Sequence, residues 1–110
     1  MNTVCLSGHI AEAPTTREGK NGKPYSTFTL SVADGFREGQ KHVFACVAFG
    51  RACEKIKDLA AGTLIGIVGQ LQTRTFKEKT VVEVIADRAE VIEAGKADGQ
   101  EDSGDSWGGQ

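Results

Sequence analysis

His42-Val43-Phe44-Ala45-Cys46-Val47-Ala48-Phe49-Gly50-Arg51-Ala52-Cys53-Glu54-Lys55-Ile56-Lys57-Asp58-Leu59-Ala60-Ala61-Gly62 is where the chain changes its period. From His42 to Phe49 apolar residues alternate, which predicts a strand. Val43, Ala45, Val47 and Phe49 fall on one face, and Phe44, Cys46 and Ala48 on the other. Both faces are largely apolar. A barrel strand needs only one face for the core, so the other calls for a cover: a subunit, a ligand or another element. From Arg51 to Ala61 the period becomes helical. Ala52, Ile56, Leu59 and Ala60 stand at i, i+4, i+7 and i+8, a single apolar stripe. Gly62 suits a left-handed cap at the helix end.

Working outward, Val4, Leu6 and Ile10 alternate with Ser7 and His9, a half-buried first strand. Residues 13–24 hold Pro14, Gly19, Asn21-Gly22 and Pro24 and read as a loop. Tyr25 to Ala33 is a second strand, with Phe28, Leu30 and Val32 on an apolar face and Thr27, Thr29 and Ser31 on a hydroxylated one. Asp34 to Gly39 connects it to the strand already quoted. Beyond the helix, Leu64 to Leu71 and Val81 to Ile92 are strands four and five, joined through Lys77-Glu78-Lys79. In the last strand the phase slips between Ala86 and Ala89, which predicts a bulge near Asp87-Arg88. One helix between the third and fourth of five strands predicts an all-β OB-fold, a five-stranded Greek-key barrel.

The 110 residues allow one domain, expected over 1–92, with 93–110 as a disordered acidic tail. The formal charge is −2. Beyond Ile92 stand Glu93, Asp98, Glu101, Asp102 and Asp105 against Lys96 alone; they carry −4, so the body holds +2. There is no apolar run long enough to span a membrane and no signal-peptide pattern at the start, so a cytoplasmic protein is expected. Cys5, Cys46 and Cys53 are odd in number and form no C-x-x-C pair, which argues against disulfide or zinc frameworks; all three are expected to be buried. His9 and His42 lie apart, without motif partners. No catalytic set, metal-ligand spacing or phosphate loop is present. The expectation is a binding protein with no enzyme activity, cofactor or metal.

The phenylalanines carry more information. Phe36 sits on a hairpin connection beside Arg37, Phe76 at a strand end between Arg74 and Lys77, and Phe49 at a strand end near Arg51. Loops seldom reach a core, so Phe36 and Phe76 are expected outside. Phe49 suits either the core or an exposed site, and Phe44 either a subunit interface or a base. Exposed rings flanked by cations suit single-stranded nucleic acid. Every base has a π-face, and cations neutralise the phosphates between stacked bases.

At these residues a family resemblance becomes specific. Asn2-Thr3-Val4-Cys5-Leu6-Ser7-Gly8-His9-Ile10, Phe28-Thr29-Leu30-Ser31-Val32-Ala33, Cys46-Val47-Ala48-Phe49-Gly50-Arg51-Ala52 and Gly69-Gln70-Leu71-Gln72-Thr73-Arg74-Thr75-Phe76 resemble, in order and spacing, segments of the bacterial single-stranded-DNA-binding protein family. The resemblance runs over residues 1–92. It implies sequence-independent binding and protection of single-stranded DNA in replication, recombination and repair. It places base-stacking rings at Phe36, Phe49 and Phe76, and phosphate contacts at Arg17, Arg37, Arg51 and Arg74, with Lys77 adjacent. A fourth stacking position of the family falls on Val43, which has no ring. The resemblance also implies a homotetramer, with a dimer as the smaller alternative, and association with the nucleoid. A primosome-type accessory barrel acting mainly through protein contacts is the rival on the same fold. The family's tail ends in a Pro-Phe tip that docks replication and repair proteins. Here the acidic end holds Asp102, Asp105 and Trp107 and lacks that tip. Either Trp107 replaces it, or recruitment is lost, or the tail acts as an electrostatic brake.

Overall fold

At Phe49 the backbone is extended, and at Gly50 it turns abruptly into a helix with φ 57°. A left-handed residue at this junction favours glycine. The computed structural model describes residues 1–95. Its elements are β1 (Val4–Ile10), β2 (Thr15–Glu18), β3 (Pro24–Ala33), β4 (Lys41–Phe49), α1 (Gly50–Ile56), β5 (Leu64–Phe76) and β6 (Lys79–Glu93). Five strands close a ring in the order β1-β5-β6-β4-β3 and back to β1. All neighbours are antiparallel except β4 and β6, which run parallel because α1 and β5 intervene. This is the expected OB barrel.

Alternation decides what fills it. Phe28 and Leu30 from β3, Cys46 and Ala48 from β4, Ile65 and Ile67 from β5, and Val84 and Ala86 from β6 all point inward. Ala52, Cys53 and Ile56 of α1 join the same core. Each fully buried Ile or Leu contributes about 1.5–3 kcal/mol. Ser26 is the polar member of β3's inward row. Its hydroxyl meets Thr16 Oγ1 at 2.8 Å and Cys53 Sγ at 3.2 Å, so it is buried with partners. Phe28 is the only one of the five phenylalanines that is buried; Phe44 is half-buried against the core, and the other three are exposed.

The structure corrects the sequence reading at several points. A sixth strand exists: β2 lies within residues read as a loop. It is wholly exposed and has no apolar period to betray it. It hydrogen-bonds along the edge of β3 from Pro24 to Thr27. The helix ends at Ile56 and not at Ala61. Gly62 N–H donates to the Ile10 carbonyl at 2.7 Å and Ile10 N–H to the Thr63 carbonyl at 2.9 Å, so the chain is drawn off into turns to meet β1. Gly62 does have φ 91°, but it closes a turn there. β5 and β6 reach to Phe76 and back from Lys79, because a two-stranded arm can pair with itself without an apolar face. Cys46 and Cys53 are buried as expected, whereas Cys5 is exposed, being on the Ser7 and His9 face of β1. Burial pushes the Cys46 thiol up to about 12.

The expected bulge is present. Val68 pairs with Arg88 and Gly69 with Ala86, so Asp87 is the extra residue. No helix among the described residues is long and apolar enough to cross a membrane.

Candidate nucleic-acid interface

Register places the outer-face residues in rows. Tyr25 lies opposite Phe49, Thr27 opposite Val47, Thr29 opposite Ala45 and Ser31 opposite Val43. On the other side of β3, Arg17 pairs with Tyr25 and Thr15 with Thr27. Since paired residues share a face, Arg17, Tyr25 and Phe49 form one row across three strands. This face is a trough. A concavity of 930 Å³ lined by Lys20, Tyr25, Phe49, Arg51 and Arg74 adjoins one of 280 Å³. The two share Thr27, Val47, Arg74 and Glu83. One wall is the turn between β2 and β3, and the other is the β5–β6 arm. Four cations and two carboxylates line the larger part.

The three rings singled out in the sequence are all exposed: Phe36 at 99%, Phe49 at 52% and Phe76 at 54%. Phe49 lines the trough. It occupies the N-cap of α1, a position that favours Ser, Thr, Asp or Asn, and makes no side-chain capping bond. Its ring packs on Tyr25 instead, with centroids 5.9 Å apart. Phe76 ends β5 with two cations over its ring, Arg74 Cζ at 5.9 Å and Lys77 Nζ at 5.4 Å from the centroid. Lys77 and Glu78 both have positive φ, so the two-residue turn after Phe76 is strained. Phe44, considered for an interface or a base, is half-buried and packed against the core. It belongs to the inward set with Cys46 and Ala48. Val43, its outward neighbour, is 64% exposed and offers no ring to the trough.

Phe36 stands on a loop held by one carboxylate. Asp34 Oδ1 accepts from the N–H groups of Phe36 at 2.6 Å and Arg37 at 2.8 Å. Its Oδ2 is 2.7 Å from His42 Nε2. A carboxylate only accepts, so that nitrogen carries the proton. The Phe36 and Arg37 amides, then His42, lower the Asp34 pKa from 3.8 to about 2. The stabilisation is therefore complete above pH 3.8 and disappears as pH falls through about 2. In an NMR acid titration, the Phe36 and Arg37 amide shifts should move with a midpoint near 2. A midpoint at the ordinary carboxylate value would contradict this.

Among the cations, Arg74 Nε pairs with Glu83 Oε2 at 3.1 Å. Arg17, Arg37, Arg51 and Lys77 form no ion pair within the described residues. Arg51 and Arg74 line the trough, Arg17 stands beside it on the edge strand β2 as the register partner of Tyr25, and Arg37 and Lys77 accompany Phe36 and Phe76. Sequence reasoning missed Tyr25, Lys20 and Lys23 on the trough wall. The turn composition around Lys20 and Lys23 gave no sign that the loop folds beside Phe49. Asp102, Asp105 and Trp107 lie outside the described residues.

A closed OB barrel crossed by a trough of rings and cations belongs to the class of small β-barrel nucleic-acid-binding modules. The comparisons with known proteins narrow this. The chain belongs to the single-strand binding protein family, whose model matches residues 1–92. Single-stranded DNA-binding protein 1 of Lactococcus lactis subsp. lactis is 31% identical over 94% of this chain and 75% of that protein. Single-stranded DNA-binding protein 2 of Staphylococcus aureus is 34% identical over 84% of this chain and 73% of that protein. The single-stranded DNA-binding protein of Enterococcus faecalis is 30% identical over 94% of this chain and 61% of that protein.

Proposed function

We propose that this protein binds and protects single-stranded DNA without reading its sequence, in replication, recombination and repair. Exposure of Phe36, Phe49 and Phe76 beside Arg37, Arg51 and Lys77, which form no ion pair among the described residues, carries this reading. The three rings stack bases, and Arg17, Arg37, Arg51, Arg74 and Lys77 neutralise phosphates. Stacking contributes about 1–3 kcal/mol per base and tolerates any sequence. Arg74 must exchange Glu83 for a phosphate, so its net gain is smaller than that of the other four cations.

Five phosphate contacts would give a slope of log K against log salt of about −3.5 for a single strand. Affinity for oligo-dT should then fall on the order of 100-fold between 50 and 200 mM salt. A titration by fluorescence anisotropy tests this, and an affinity independent of salt would exclude phosphate neutralisation.

The protein acts as a homo-oligomer in this reading, a tetramer before a dimer. Only His9 and Ile10 of β1 pair with β3. From Val4 to Gly8 that edge of β1 has no strand partner among the described residues, and an open edge invites pairing with another copy. Light scattering coupled to size exclusion measures the number. The acidic tail with Asp102, Asp105 and Trp107 is the candidate dock for replication and repair proteins, and association with the nucleoid follows from DNA binding.

A further inference from the structure

We propose that Tyr25 is a base-stacking residue, forming with Phe49 one two-ring platform for the nucleobases of a bound single strand. The proposal rests on the reading of the trough as the strand's path. Tyr25 and Phe49 are register partners on neighbouring strands, with ring centroids 5.9 Å apart and an interplanar angle of 34°. At that spacing the rings already touch, so no base slips between them. Bases lie over them instead, on a surface wider than either ring alone. Both rings line the larger concavity, with Lys20, Lys23 and Arg51 around them to meet phosphates. Arg17, the third member of the row, extends the platform outward.

A purely structural role explains Tyr25 less well. A half-buried tyrosine kept for packing usually bonds its hydroxyl, yet this hydroxyl has no partner among the described residues. The ring lies beside Gly19 of the neighbouring turn, but the hydrogen bonds that close the turn do not involve it. Gly19 N–H donates to the Lys23 carbonyl at 2.8 Å, Gly22 N–H to the Gly19 carbonyl at 3.0 Å, and Lys23 N–H to Asn21 Oδ1 at 3.1 Å. At the far end of the face, Val43 supplies no π-surface. Tyr25 therefore moves the aromatic weight of the trough toward the helix end of β4.

Composition makes the test direct. Tyr25 is the only tyrosine and Trp107 the only tryptophan. In the full-length Trp107→Phe variant, tyrosine emission comes from Tyr25 alone. Adding oligo-dT should quench it along the same isotherm that anisotropy of a labelled oligo-dT reports. Tyr25→Phe keeps the ring and should bind within about twofold of the parent, whereas Tyr25→Leu fills similar space without a π-face and should weaken binding about fivefold or more. Circular dichroism checks that both fold. Anisotropy showing full binding while tyrosine emission stays unchanged, or Tyr25→Leu binding as tightly as the parent, would overturn the role of Tyr25 and leave the proposed function standing. Absence of binding in both signals would overturn the function itself.

Discussion

Phe49→Ala should weaken oligo-dT binding by about 1–3 kcal/mol, about 5- to 140-fold, with little change in stability. Three features lead to this value. The ring lines the trough, and about half of it is open to solvent. It touches Tyr25, so its loss also leaves the neighbouring ring without its partner. Alanine removes no helix-capping bond, because the Phe49 side chain makes none. Its effect should exceed that of Phe36→Ala, whose fully exposed ring can bring no neighbour with it. Isotherms for both variants, with thermal melts as controls, measure this. An unchanged affinity would remove Phe49 from the binding surface.

The largest stability loss is expected at Gly69→Ala. A Cβ there would run into the Ile85 carbonyl and stand 3.0 Å from the Ala86 Cα. These are backbone atoms of the paired strand beside the Asp87 bulge, so they cannot move aside as a side chain tip would. Overpacking of this kind costs about 3 kcal/mol, and for a domain near 100 residues the melting temperature should fall on the order of 15 °C. Gly66→Ala on the same strand is the control. Its Cβ would meet Ile92 Cδ1 at 3.6 Å, an ordinary contact, and the variant should melt close to the parent. Equal behaviour of the two variants would contradict this account of the β5–β6 crossing.

Much of the barrel was legible because alternation is a local signal. Phe28, Leu30 and Val32 against Thr27, Thr29 and Ser31 read correctly without any partner strand in view. The slip after Ala86 likewise announced the bulge. Other features depend on contacts between distant residues. β2 exists because β3 has a free edge, not because Thr15-Thr16-Arg17-Glu18 has a pattern. The helix stops early because Gly62 and Thr63 bond to Ile10, fifty-odd residues upstream. In β4 the sequence showed two apolar faces and could not say which was inside. Closure of the ring chooses the Phe44 face and leaves Val43, Ala45, Val47 and Phe49 outward. At the site, Phe49 was open between core and surface, whereas the exposed rings of Phe36 and Phe76 could be picked out from their loop and strand-end positions. Tyr25 could not, because its link to Phe49 is a cross-strand register with no trace in local sequence.

In the proposed function the outward face of β4 receives unpaired bases. Competition anisotropy decides this, with labelled oligo-dT displaced by unlabelled oligo-dT, by the matched duplex or by an RNA of equal length. Oligo-dT should compete far better than the duplex, whose bases are already stacked and hidden from the rings. A duplex that competes as well as oligo-dT, or a protein that leaves oligo-dT unbound at 50 mM salt, would contradict it.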